Sequence, residues 1–152
     1  MIKVVENGLT PKIYRDVRAS VGMMEYQEED VESALAGTLF SVVIWEEEKP
    51  IGIGRVIGDG RVAFFIKDVA VVPERQRCGI GSIVMDSLMN FIRTKGASNA
   101  YVGLMALSGK EAFYQKYGFH IRPYQNEGSG MTQYLNYNTK QGGKSYEKAD
   151  YH

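Results

Sequence analysis

Residues 67–82 read KDVAVVPERQRCGIGS, and the choice of fold turns on how this stretch is divided. Up to Val72 it is a run rich in β-branched residues, suited to a strand, and Pro73 ends it because proline cannot donate to a sheet ladder. A polar link then delivers Gly79, Ile80 and Gly81. From Ile80 the apolar period changes: Ile80, Val84, Leu88 and Phe91/Ile92 recur every three or four residues, the spacing of one helix face. The stretch is therefore a strand that runs into a helix start, with two glycines at the junction. A helix start has amides without intrahelical partners and about half a positive charge from the macrodipole, so it suits a phosphate. Glycines 79 and 81 would let a diphosphate approach the amides of Arg77, Cys78, Gly79, Ile80, Gly81 and Ser82, with Arg75 and Arg77 flanking it. The plainer alternative is a tight turn with close packing.

Outward from this core the chain reads as one domain over residues 1–137 and a polar tail over 138–152. Residues 2–5 suit a first strand, and Asn7-Gly8 a turn. Thr10-Pro11 reads as an N-cap and first position of a helix through Ser20, whose face carries Ile13, Tyr14, Val17 and Val21. A second helix fits residues 29–36, stopped by Gly37. The link between these helices carries Met23, Met24 and Tyr26, which either cap the core or line a pocket. Residues 40–45 and 51–57 form a hairpin, and residues 62–72 are long enough for one strand to contain a bulge. Beyond the helix that Gly96 ends come a strand over 100–105, a short helix over 110–117 ended by Gly118, and strands over 119–122 and 131–137. Three consecutive strands joined by turns exclude a purely parallel, doubly wound sheet.

The 152 residues balance 18 basic against 18 acidic side chains. Net charge gives no reason to expect nucleic-acid or membrane partners, and a soluble cytoplasmic protein is expected. A single cysteine, Cys78, excludes an internal disulfide, and two histidines leave little for a metal site. Cys78 has no histidine beside it in sequence, so it is not read as a nucleophile, and His120 reads as a packed or surface residue.

Two phosphate-loop patterns are absent: no G-x-x-x-x-G-K-[ST] occurs, and G-x-G-x-x-G fails at Val84. What stands is Gln76-x-x-Gly79-x-Gly81 after a strand and a proline. It resembles the Q/R-x-x-G-x-G/A signature of the GNAT superfamily of N-acetyltransferases, in which the loop holds the pyrophosphate of acetyl-CoA. A second stretch, residues 108–119 (SGKEAFYQKYGF), is similar to the A-x-x-F-Y-x-K-x-G-F segment of that family. The resemblance implies an α/β fold with a mixed, mostly antiparallel central sheet flanked by helices.

It also implies direct acetyl transfer to an amine, without metal. Transfer from a thioester requires a neutral amine, a stabilised carbonyl oxygen and a protonated leaving thiolate. By resemblance Tyr114 protonates the thiolate; the alternative is an aromatic that packs beneath CoA, and Tyr117 is its competitor. Val69 and Val71 would offer backbone amides to the thioester and pantetheine arm if the strand bends near residues 68–70. Asp68, the lone acid of an apolar run, would bind the ammonium or relay its proton; some amine-acetylating relatives, including plant-type serotonin N-acetyltransferases, carry an aspartate at this place. Its structural alternative is a buried acid paired with Lys67 or Arg55. Ser108 departs from the asparagine of many relatives. Met23, Met24, Tyr26 and Tyr124 would shape the acceptor pocket for a small arylalkylamine or polyamine. Glu25, Glu28, Glu29 and Asp30 keep an aminoglycoside open. The other readings are a protein N-terminal or lysine acetyltransferase and a CoA-binding sensor without chemistry. A homodimer is expected if the final strand pairs between subunits.

Overall fold

The computed structural model describes residues 1–135 and residue 149. The chain divides into two compact units, Met1–Phe119 and His120–His152. In the first, β1 (Ile2–Glu6), β2 (Phe40–Glu46), β3 (Lys49–Gly58), β4 (Ala63–Val71) and β5 (Tyr101–Leu104) form one sheet in sequence order. The first four strands are antiparallel neighbours, and β5 runs parallel to β4 after a crossover through a helix. The helices are α1 (Pro11–Ser20), α2 (Glu28–Ala36), α3 (Ile80–Lys95) and α4 (Glu111–Gln115), with a 3-10 turn at Pro73–Arg75. This is the expected mixed sheet flanked by helices.

Local chemistry explains the boundaries. The Thr10 hydroxyl accepts from the Ile13 amide at 3.2 Å, so Thr10 caps α1 and Pro11 opens it. Lys49 and Pro50 belong to β3 rather than to the turn, because the hairpin closes on Glu47, at φ 53°, and Glu48. Ile80, Val84, Met85, Leu88, Met89 and Ile92 form the buried face of α3.

The two faces of β3 are used differently. Alternate residues face opposite sides of a sheet. A Cβ on Gly54 would stand 2.6 Å from Val84 Cγ1 and 3.0 Å from Leu88 Cδ1, and one on Gly52 2.8 Å from Ile80 Cγ2, so α3 packs directly on this glycine face. Arg55 points to the other face, where its guanidinium lies 5.7 Å from the Tyr14 ring of α1.

Residues 119–122 form no strand. Tyr124 and Glu127 make one isolated antiparallel bridge. The strand expected over 131–137 is likewise not formed over 131–135, because Met131, Tyr134 and Leu135 are exposed and offer no buried face to organise a ladder. Its last two residues lie outside the described residues, as does the tail apart from residue 149.

Candidate active site

The long strand does contain a bulge. Ile53 pairs with Ala70 and Arg55 with Lys67, so Asp68 and Val69 together oppose Gly54. Asp68 takes φ 59°, a left-handed conformation rare outside glycine, asparagine and aspartate. The extra residue reverses which side chains face α3. Before it, Phe64 meets Phe91 edge-on at 6.5 Å; after it, Val69 and Val71 lie toward the glycine face and α3. Asp68 is thereby turned to the α1 side, beside Arg55.

From Lys67 onward, β4 has no parallel neighbour in β5. Pairing with β5 ends at Ile66 and Leu104, while β4 continues to Val71. On its other edge the Val72 amide donates to the Ile51 carbonyl at 2.9 Å. Since amides alternate between the edges of a strand, the Val71 amide points into the gap that β5 leaves, and the bulge displaces the Val69 amide from the ladder. The gap can accept an extended polar chain as an added strand.

The loop at the end of β4 is braced on itself. Gln76 Nε2 donates to the Val71 carbonyl at 3.0 Å, and Arg75 pairs with Glu46 at 2.5 Å. Arg75 is thus engaged, whereas Arg77, at φ 62°, forms no ion pair among the described residues. Gly79 has φ 82°, and a Cβ there would meet nothing within 4 Å, so its place is open as well as left-handed. The first backbone bond of α3 runs from the Ile83 amide to the Gly79 carbonyl, which leaves the amides of Ile80, Gly81 and Ser82 without intrahelical acceptors. The cradle fits a diphosphate. Gly81 has a different reason: a Cβ there would stand 3.3 Å from the Phe113 ring, so its smallness serves packing. The Cys78 thiol is exposed and lies 3.5 Å from the Gln76 carbonyl.

Phe113 brings α4 against this loop. Its ring packs edge-on to Tyr114 at 5.0 Å, and Tyr114 meets Phe119 edge-on at 6.5 Å. Burial pushes the Tyr114 phenol up from its ordinary value, so it is held protonated. The Tyr117 hydroxyl instead donates to the Ser82 carbonyl at 3.3 Å, fastening the turn that follows α4 to the first turn of α3.

Asp68 lies in a buried ionic cluster. Its side chain is 1 % exposed, and its two oxygens accept from Arg18 Nη1 and, at 2.6 Å, from Arg55 Nε. Arg55 also donates to the Thr38 hydroxyl at 3.1 Å, and Arg18 to the Met24 carbonyl at 2.8 Å. Lys67 is exposed. Arg18 escaped the sequence reading, although it stands four residues after Tyr14 on the buried stripe of α1, where a charge requires a partner. Burial, and next the Asp68 carboxylate, push the Tyr14 phenol up.

Of the expected acceptor residues, Met23 packs partly against the core, while Met24 and Tyr26 are exposed beside a cleft that Tyr14, Arg18 and Glu25 also line. Tyr124 belongs to the second unit, where it stacks on His120 at 4.1 Å. Among the described residues no group of His, Cys, Asp or Glu could hold a metal ion, and no helix is long and apolar enough to cross a membrane.

Residues 37–121 match the family described as acetyltransferase (GNAT) domain. The chain is 34% identical over 123 residues to serotonin N-acetyltransferase 2, chloroplastic, of Oryza sativa subsp. japonica, covering 76% of this chain and 59% of that protein. It is 30% identical over 127 residues to GCN5-related N-acetyltransferase 1, chloroplastic, of Arabidopsis thaliana, covering 81% and 62%. The chain thus spans about six-tenths of the length of these relatives. A crystal structure from meticillin-resistant Staphylococcus aureus, described as a probable acetyltransferase, superposes with a TM-score of 0.80 at 34% identity, covering 90% of this chain and all of that one.

Proposed function

Since the chain belongs to the GNAT acetyltransferase family, we propose that it moves the acetyl group of acetyl-CoA directly to a primary amine, a small one of the arylalkylamine or polyamine type. The observation that carries the reading is the convergence of three features in one unit. They are an open glycine cradle at the start of α3, a strand edge that β5 abandons, and a protonated tyrosine on the helix fastened to that cradle.

Each element has a task. The amides of Ile80, Gly81 and Ser82, with Arg77 nearby, would hold the diphosphate. The Val71 and Val69 amides would receive the pantetheine arm and the thioester oxygen, where a backbone donor is most effective as negative charge develops. Acetyl-CoA, when bound, supplies the activated acetyl group. Tyr114 would give its phenolic proton to the departing thiolate, since burial keeps that proton in place at neutral pH. Asp68 has little access to an ammonium, because both oxygens are taken by guanidinium groups and the side chain is 1 % exposed. We therefore place it in support of the acceptor side rather than in proton transfer.

A small amine is favoured by the apolar and aromatic character of Met24 and Tyr26 at the cleft, and by the name of the rice relative. The test is release of CoA thiol from acetyl-CoA across a panel of arylalkylamines, polyamines, aminoglycosides and short peptides. Turnover with arylalkylamines or polyamines supports the proposal. Turnover confined to peptides would replace it with protein acetylation, and acetyl-CoA binding without turnover on any amine would replace it with a sensor.

A further inference from the structure

The buried cluster at the bulge joins the two halves of the site. Asp68 stands on β4 between Lys67, exposed, and Val69, whose amide is offered to the thioester. One of its oxygens is held by Arg55 of β3 and the other by Arg18 of α1. Arg18 is not merely a counter-ion. Its second terminal nitrogen donates to the Met24 carbonyl at 2.8 Å, and its guanidinium lies over the Tyr14 ring at 5.0 Å and near the Tyr26 ring at 5.4 Å. The connection from bulge to link is therefore one carboxylate and one guanidinium long. Apart from Arg18, Val21 and Met23 pack on the core and the backbone turns at residues 21–23, while residues 24–26 have an exposed ion pair between Arg15 and Glu25, 3.3 Å apart. Such an exposed pair fixes little.

We infer that Arg18 is a positioning residue, which holds the Met24–Tyr26 wall of the acceptor cleft in register with the bulge amides through Asp68. A planar guanidinium can satisfy a carboxylate, a carbonyl and two aromatic faces together, whereas an ammonium cannot. Arg18 thereby sets the distance between the acceptor amine and the acetyl carbon, and small displacements of a reacting pair cost rate steeply. Asp68 acts through Arg18 and Arg55, not on the substrate. The inference rests on the acetyl-transfer reading.

Arg18→Lys keeps the charge and removes the fork. With an amine that the wild type acetylates, this variant is expected to lose roughly ten- to a hundredfold in kcat/KM for the amine. Most of that loss should fall in kcat, with the acetyl-CoA dissociation constant within about twofold of wild type. Hydrogen exchange, which needs no acceptor, should show faster exchange at residues 23–27 in the variant while amides of β2 and β3 keep their protection. Asp68→Asn should reproduce both effects and leave the shape of the kcat/KM pH profile unchanged. A kcat and link protection equal to wild type in folded Arg18→Lys would overturn the inference, as would loss of the acidic limb of the pH profile in Asp68→Asn, the mark of a base. A wild type that neither binds acetyl-CoA nor turns over an amine would instead sink the underlying reading, and would leave the exchange comparison standing by itself.

Discussion

At the scale of single residues, the proposed chemistry rests on Tyr114. Positioned acid catalysis is typically worth about 10²–10⁴-fold, so Tyr114→Phe should lower kcat by that order while acetyl-CoA still binds. Unchanged turnover would remove the phenol from the mechanism. Because burial raises its pKa, the alkaline limb of kcat should lie above the ordinary tyrosine value of about 10. The same sign governs stability. Tyr14 and Tyr114 both hold their protons more firmly folded than unfolded, so their contribution is complete below about pH 10 and is lost as pH rises through the folded values. The melting temperature should therefore fall above pH 10, and less steeply in Tyr14→Phe. Asp68→Ala would leave two buried guanidiniums without their common partner, a loss on the order of 3–5 kcal/mol measurable by denaturant unfolding. Of these residues the sequence reveals Tyr114 by its FY motif and Asp68 by its isolation in an apolar run. It hides Arg18, because a partner fifty residues away leaves no local pattern.

At the scale of elements, the bulge and the glycine face of β3 make the site. One extra residue in β4 turns Asp68 toward α1 and Val69 toward α3, so the edge proposed for the cofactor and the ionic cluster arise from the same irregularity. The sequence signals the irregularity by length alone: residues 62–72 exceed an ordinary strand, but which residue is doubled depends on the partner strand. Gly52 and Gly54 look unremarkable in the sequence because their reason is tertiary. Gly54→Ala should destabilise by about 1–3 kcal/mol, since its Cβ would stand 2.6 Å from Val84 Cγ1 in a packed interior. An equal or higher unfolding midpoint would show that α3 can move away from the sheet. The two glycines of the cradle separate as well. Gly79→Ala meets open space and pays only for a left-handed backbone, whereas Gly81→Ala presses on Phe113 and hence on the helix that carries Tyr114.

At the scale of the whole molecule, strand order and helix placement are legible because they are written in periods and punctuation. A period near 3.6 begins at Ile80, proline stops β4, and glycines close α2, α3 and the turn after α4. The end of the chain reads poorly for the converse reason. Met131, Tyr134 and Leu135 suggest a strand, yet all three are exposed, and apolar residues without burial do not make a ladder. The account depends on one claim above the others, that the loop from Gln76 to the start of α3 is a CoA diphosphate cradle and not a turn. The direct measurement is the melting temperature with and without acetyl-CoA, beside ATP and NAD. At 100 times its dissociation constant a ligand stabilises by about 2.7 kcal/mol, several degrees for a domain of this size. A shift of that order with acetyl-CoA, absent with the other two nucleotides, is the predicted result; no shift, or an equal shift with all three, would contradict the account.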